Sequence, residues 1–296
     1  MKEINIAISA SKSYIKYARV MIASVYAAHP KNKVNLFVFY VDDKVATYQK
    51  IMKRQSRKTN ENNSVNFIKV DPELLKKIDD GKGWALDLWA RWYALDFISK
   101  DHDRVLLLGV DTFIRGDISE FYFQDMLGYY FACTADFYIN HTEPSQWPGI
   151  KDEMDRMGLD DKKRYINGDV VLVNLKETRG KISFLSFVDA YAKNRFECWD
   201  QDVITYCFNS YIKFQNSYAY NYFPNLNLEN VNDLENIKDV KILHFAGGPK
   251  PWLVAPWDAK KFNGIPEWWG VAKREGLVNP ISSLIYVIRK ILKFLR

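Results

Sequence analysis

Arg104-Val105-Leu106-Leu107-Leu108-Gly109-Val110-Asp111-Thr112-Phe113-Ile114 is the stretch around which the rest of the chain is arranged. Its apolar run, Val105 to Leu108, suits a strand covered on both faces of a sheet. Gly109 interrupts the run, and Asp111 follows at the strand's carboxyl end. That is the side on which open α/β sheets bind their ligands. A carboxylate placed there either opens a turn or meets a hard cation beside a phosphorylated substrate.

Upstream, the pattern alternates. Glu3 to Ser9 predicts a strand, Ala10 to Tyr14 a small polar loop, and the next residues a helix to about Ala28, ended by His29-Pro30. Val34 to Val41 predicts a second strand. Asp42-Asp43 stands where it can cap a helix from Lys44 to Arg57, and Val65 to Val70 predicts a third strand. Strand, helix, strand, helix, strand argues for an α/β fold, a mostly parallel sheet with helices on its faces. Trp84 to Ile98 predicts a further helix, with Trp84, Leu88, Trp92 and Leu95 on its core side. Arg91 lies among them, either as a phosphate or carboxylate partner or with its stem buried and its head in solvent.

Downstream, Tyr129 to Thr134 predicts a strand ending at Ala135-Asp136, and Val170 to Leu175 another, preceded by Asn167-Gly168-Asp169. Residues 140 to 163, with Pro144 and Trp147-Pro148-Gly149, predict an irregular insertion facing an acceptor. Residues 177 to 209 predict two helices broken near Glu197, with Asp200-Gln201-Asp202 at or before the second. Val240 to Phe245 is a late strand that runs into His244-Phe245-Ala246-Gly247-Gly248-Pro249-Lys250-Pro251-Trp252.

The 296 residues are 48% hydrophobic and 26% charged, a globular balance long enough for a sizeable core. Lys and Arg exceed Asp and Glu by 42 to 36; with no nucleic-acid motif, so small an excess argues against nucleic-acid binding. Cys133, Cys198 and Cys207 have no zinc or redox spacing, which fits free thiols in a reducing compartment. The first residues read as a strand rather than a signal peptide, and no uncharged apolar run is long enough to span a membrane. The end differs in kind. Ile281, Leu284, Ile285, Ile288, Ile291, Leu292 and Leu295 form one apolar stripe, with Arg289, Lys290, Lys293 and Arg296 off it and no acidic residue. Such a helix lies on anionic membrane surfaces, or else packs on its own domain or a partner. The division expected is 1–265 as one domain and 266–296 as a basic, membrane-associating tail.

The Asp111 stretch, Asn167-Gly168-Asp169, Asp200-Gln201-Asp202 and the His244-to-Trp252 motif, in that order, resemble glycosyltransferase family 8. This is the retaining family of glycogenin and bacterial lipopolysaccharide galactosyl- and glucosyltransferases. The similarity covers about residues 3 to 257, and His-Phe-x-Gly-x-x-Lys-Pro-Trp is its most specific part. The resemblance implies a GT-A fold, a Rossmann-like nucleotide-sugar-binding domain, with Mn²⁺ (or Mg²⁺) and a UDP-hexose donor. It implies an oligosaccharide or lipid-linked glycan acceptor in surface polysaccharide synthesis. With the tail, it implies work on the inner face of the cytoplasmic membrane.

By position, Asp111 and His244 resemble metal ligands, and Gly247 and Lys250 the groups that hold the donor diphosphate. Arg91 resembles the donor-site arginine, Asp136 the carboxylate at the donor sugar, and Gln201, with Asp200 beside it, the residue beneath the anomeric carbon. Ala10, Ser11, Tyr14, Val110 and Asn167 complete the donor site that the resemblance implies.

The chain also departs from the family. Gly109 stands where the family has the first carboxylate of Asp-x-Asp, Ser11 where an Asp usually faces uracil, and Gly168-Asp169 where the family has Ala-Gly. A cation at Asp111 and His244 thus lacks one anionic ligand, a place that water or Asp169 could take. Gly109→Asp would be expected to rebuild the pair, unless residue 109 needs a positive φ. The alternatives are a degenerate, non-catalytic glycosyltransferase fold or an engineered metal-site variant.

Overall fold

A computed structural model describes residues 1–78, 85–141, 148–194, 196, 198–224, 239–255, 258–277 and 288. The alternation upstream folds as the pattern predicts. β1 (Glu3–Ser9), β2 (Lys33–Tyr40) and β3 (Ser64–Lys69) pair in parallel, and β4 (Val105–Leu108) lies parallel on the other side of β1. β6 (Phe131–Ala135), β7 (Ile166–Val173) and β8 (Ile212–Gln215) complete a seven-stranded sheet, in the order β3-β2-β1-β4-β7-β6-β8. β7 runs antiparallel to both β4 and β6. Its first residues therefore arrive at the carboxyl ends of β1 and β4, where the site forms. β5 (Thr112–Ile114) and β9 (Ile242–His244) make a small antiparallel pair beside the sheet.

Each face of the sheet buries its own apolar layer. Ile4, Ile6 and Ile8 of β1 point at α1 (Ile15–Ala28), which contributes Ile15, Ala18, Met21, Ile22 and Val25, and Met52 joins them from α2 (Gln49–Thr59). The opposite face carries Ala7, Phe37 and Phe39 against Trp89, Trp92, Phe184 and Phe187. Alternate residues of a strand face opposite sides, so β1 supplies both layers. Trp92 stacks on Phe187 with ring centroids 4.4 Å apart, and truncating so large a buried ring typically costs about 3–5 kcal/mol. No helix among the described residues is long and apolar enough to cross a membrane.

Several local expectations are revised. The helix expected from Lys44 begins as a 3₁₀ turn, Asp43–Tyr48, capped by the Asp42 carboxylate on the Lys44 N–H, and becomes α2 only at Gln49. Trp84 lies outside the described residues. The rest of that segment is broken into Ala85–Trp89, a 3₁₀ turn Ala90–Tyr93, and Ala94–Phe97, which turns Trp89 rather than Leu88 into the core. Within the stretch expected to be irregular, Pro148–Arg156 is helical, since proline is tolerated at a helix's first position; residues 142–147 lie outside the described residues. Asn167-Gly168-Asp169 falls inside β7 rather than before it. The helices Phe184–Asn194 and Trp199–Phe208 flank Glu197, which is also outside the described residues. The helix Ile265–Arg274 buries Trp268, Val271 and Ala272 in a third apolar cluster with Val20 of α1. The amphipathic stripe beyond it lies outside the described residues, Ile288 excepted.

Candidate active site

Three chain segments converge at the carboxyl end of β4. Asp111 sits in the turn between β4 and β5, a turn closed by Thr112 Oγ1 donating to the Gly109 carbonyl at 2.8 Å. The β5–β9 ladder places His244 opposite Thr112, and the Phe245 N–H donates to the Asp111 carbonyl at 2.9 Å. The β4–β7 ladder pairs Leu108 with Val170, and one step further the Gly109 N–H donates to the Asp169 carbonyl at 2.9 Å. These registers bring Asp111, Asp169 and His244 together, with ligand atoms all within 4.8 Å of one another.

His244 is fixed by its other ring nitrogen. Nδ1 lies 2.9 Å from Asn221 Oδ1, and the Asn221 amide is oriented by donating to Thr134 Oγ1 at 2.9 Å. In the neutral ring the hydrogen then belongs on Nδ1, which leaves Nε2 as the nitrogen facing the carboxylates, 3.5 Å from Asp111 and 3.4 Å from Asp169. That Nε2 is buried and has no hydrogen-bond partner. Two carboxylates and one orphaned imidazole nitrogen make a donor set that fits a divalent cation. Burial disfavours a charged imidazole, but the two carboxylates override it and raise the pKa of His244 to about 9. Without a cation, the ring therefore carries the compensating charge itself.

Gly109 owes its place to Asp169. Its φ is not positive; the constraint is space. A Cβ there would stand 2.8 Å from Asp111 Oδ1 and 2.8 Å from Asp169 Cγ. The carboxylate that the resemblance puts at position 109 is supplied from the facing residue of the neighbouring strand. An Asp at position 109 would meet the Asp111 and Asp169 carboxylates, so rebuilding the pair there requires those side chains to move.

Lys250 closes the site. Its Nζ donates to Asp111 Oδ2 at 2.5 Å and to the Phe245 carbonyl at 2.6 Å. Burial would raise the Asp111 pKa; the cationic His244 and Lys250 hold it below its ordinary value. Gly247, at φ 66°, lies in the bend between His244 and Lys250, and its left-handed backbone suits glycine. Tyr14 packs edge-on against Trp252 with centroids 5.5 Å apart, and so joins the loop after β1 to this motif. In that loop Ala10 is buried, and Ser11 Oγ is paired with Ser13 Oγ at 2.8 Å. Val110 is buried beside Asp111.

Arg91 is only 2% exposed, and the protein occupies both its terminal nitrogens. One donates to Asp169 Oδ1 at 2.6 Å. The other donates to Asp200 Oδ2 at 2.8 Å and to the Gly168 carbonyl at 2.9 Å. Trp92 Nε1 also donates to Asp200 Oδ2, at 2.7 Å. Burial opposes charge on Asp169, but Arg91 and His244 hold its pKa far below the carboxylate range. Arg91 is thus a positioning residue that ties Asp169 to Asp200. Gln201 follows Asp200 at the start of its helix, and its Oε1 accepts the Gly168 N–H at 2.9 Å, which fixes the side chain against β7. Asp136, at the end of β6, accepts the Ile139 N–H at 3.0 Å and Asn167 Nδ2 at 2.9 Å. Burial raises its pKa.

The structure thus gathers Asp111, His244, Lys250, Arg91, Asp200, Gln201, Asp136 and Asn167 around one end of the sheet. Three supports carry no motif in the sequence: Asn221 and Thr134 behind His244, and the Trp92 indole on Asp200. Asp169 is legible only as one possible filler of the missing ligand place. The signal for Asp169 was an acid where the family pattern has glycine.

The family description that matches the chain is Glycosyl transferase family 8, over residues 5–255. A lipopolysaccharide 1,3-galactosyltransferase of Salmonella typhimurium (strain LT2) is 23% identical over 297 aligned residues, covering 94% of this chain and 82% of the relative. The galactosyltransferase LgtC, solved with donor and acceptor sugar analogs, superposes with a TM-score of 0.69 at 19% identity, covering 94% of this chain and 98% of that one. GlyE of Streptococcus pneumoniae TIGR4, a glycosyltransferase, superposes with a TM-score of 0.61 at 16% identity, covering 98% of this chain and 64% of that one. The mostly parallel sheet is the GT-A fold these structures share, and the chain belongs to glycosyl transferase family 8.

Proposed function

We propose that the chain is a retaining hexosyltransferase. It moves a hexose from a UDP-sugar to a hydroxyl of an oligosaccharide or lipid-linked glycan, in bacterial surface polysaccharide synthesis at the inner face of the cytoplasmic membrane. The observation that carries this reading is the Asp111–Asp169–His244 cluster, with Lys250 beside it. A site that had lost one metal carboxylate and kept no substitute would favour the degenerate, non-catalytic reading. Asp169, beside Asp111 and His244, supports the active reading instead. The curated relative is by name a lipopolysaccharide galactosyltransferase, which supports the acceptor class.

Asp111, Asp169 and His244 would hold the cation, Mn²⁺ or Mg²⁺. When bound, it supplies positive charge to the leaving diphosphate. Lys250 adds a compact ammonium that can exchange Asp111 for a phosphate oxygen. Asp136, anchored by Ile139 and Asn167, keeps lone pairs free for hydroxyls of the donor sugar. Gln201, held by the Gly168 N–H, would present its amide beside the anomeric carbon of a bound donor. An amide oxygen is a weak nucleophile, which favours attack by the acceptor hydroxyl on the face the diphosphate leaves. The acceptor's proton then passes to a diphosphate oxygen, and no covalent sugar–enzyme bond forms.

A panel of nucleotide-sugars, assayed for release of the nucleoside diphosphate with and without Mn²⁺, tests the reading. Mn²⁺-dependent release from one UDP-hexose is the expected result. No release from any donor, together with no thermal shift from Mn²⁺ plus UDP, would establish the non-catalytic alternative.

A further inference from the structure

The outer face of α2 is cationic throughout. Met52, Gln55 and Ser56 of that helix are buried, whereas Lys50, Lys53, Arg54, Arg57 and Lys58 are exposed. Their spacing, i, i+3, i+4, i+7 and i+8, puts all five on one arc of the helix. The helix Gln49–Thr59 contains no acidic residue, and among the described residues none of the five makes an ion pair. The five side chains share one solvent-open surface. Like charges at i, i+4 repel, and an ordinary solvated helix intersperses acids to relieve this. Unrelieved by acids on the helix, the arc presents concentrated positive charge to solvent.

We propose that this face of α2 is a docking surface for an anionic membrane, the five side chains reading the phosphodiester headgroups. The inference rests on the reading that the protein works at a membrane, and it adds a folded element to the tail. Continuity favours a membrane over a free polyanion. Gln55 of α2 donates to the Arg19 carbonyl at 2.8 Å, and the Arg19 guanidinium donates to the Glu275 carbonyl at 2.6 Å. The end of the helix Ile265–Arg274 and α2 are thus tied to the same residue of α1. Leu277, the last residue described before the tail, follows Glu275 by two positions, and the sequence beyond it carries a second cationic stripe joined to an apolar one. Ile51, 41% exposed on α2, adds an apolar contact at the edge of the patch.

The test uses the full chain and vesicles of phosphatidylcholine with or without phosphatidylglycerol. One variant carries glutamine at the five α2 positions (Lys50→Gln, Lys53→Gln, Arg54→Gln, Arg57→Gln, Lys58→Gln). A second carries it in the tail (Arg289→Gln, Lys290→Gln, Lys293→Gln, Arg296→Gln). A third, Arg54→Lys with Arg57→Lys, keeps the charge. Each cation near an anionic surface adds several-fold to binding, so the α2 glutamine variant should lose on the order of 10-fold or more in partition to anionic vesicles at low salt. It should keep the parent's melting temperature and its release of nucleotide in solution. The lysine variant should bind like the parent. Unchanged partition of the α2 glutamine variant, with the tail variant fully released, would overturn the α2 surface and leave the tail as the anchor. Equal binding of parent and α2 variant to anionic vesicles, with only the parent binding a short DNA duplex, would overturn it in favour of a nucleic-acid surface. Nucleotide-sugar turnover is read separately, so its absence would count against the proposed activity and not against this surface.

Discussion

Gly109 and Asp169 face each other across the β4–β7 ladder, and the Asp169 carboxylate fills the volume into which a side chain at position 109 would grow. Two residues far apart in sequence thus form one unit, an acid that the family pattern places on β4 and that this chain places on β7. Such a unit should be exchangeable only as a pair.

Gly109→Asp by itself should lower stability, on the order of 1–3 kcal/mol, because a Cβ is forced against Asp111 and Asp169. It should not tighten Mn²⁺. Gly109→Asp combined with Asp169→Gly should recover Mn²⁺ binding close to that of the parent, since one carboxylate is moved and none is added. Calorimetric titration with Mn²⁺ in the presence of UDP, beside thermal melts, separates the cases. A stable single variant with tighter Mn²⁺ would refute the pairing.

Removing any one ligand should remove the cation's contribution. Asp111→Ala, Asp169→Ala and His244→Ala should each weaken Mn²⁺ by at least about 10–100-fold, the range already seen for losses behind the ligand shell. In each, the rise in melting temperature produced by Mn²⁺ plus UDP should vanish. If Asp169→Ala kept the full rise, Asp111 and His244 would be sufficient and Asp169 would be a structural partner of Arg91 alone.

The cation-free protein should lose stability with rising pH because of His244. Its folded pKa of about 9 lies above the ordinary value of 6.5. The folded state therefore holds a proton that the unfolded chain releases. The stabilisation is complete below about pH 6.5 and is lost as pH rises toward 9. Mn²⁺ affinity should climb through the same window, because the cation competes with the proton for Nε2. Urea melts of the parent and His244→Asn across that range provide the measurement, and parallel curves would remove His244 as the cause.

Arg91→Lys should be costly although the charge is kept. A lysine ammonium cannot reach Asp169, Asp200 and the Gly168 carbonyl from one planar group. Breaking a buried ion pair leaves carboxylates uncompensated, and a loss of about 3 kcal/mol is expected. Asp169 would also lose its anchor, so Mn²⁺ affinity should fall with stability. A variant as stable as the parent would show that Asp200 and Asp169 hold their places without the guanidinium.

Much of this was legible in the sequence because it is local. The alternation through Val70 predicts three parallel strands, since period-two and helical apolar patterns are set by neighbours along the chain. Asp111 after an apolar strand, and His244 before a glycine loop ending in Lys250, mark the site in the same way. The breaks between Ala85 and Phe97, and the helix at Pro148, were less legible, because packing of Trp89 and Trp92 and tolerance of proline at a helix start decided them.

The residue types at the site, and their order, can be read along the chain. Which of them meet depends on how distant strands pair. Asp169 becomes the third member of the cluster because β7 runs antiparallel to β4 and pairs in the register that sets Leu108 against Val170. A shift of one residue would turn its carboxylate to the other face of the sheet, since side chains alternate along a strand. No local pattern contains that register; it is set by the burial of Val170 and Leu172 on one face and of Val171 and Val173 on the other.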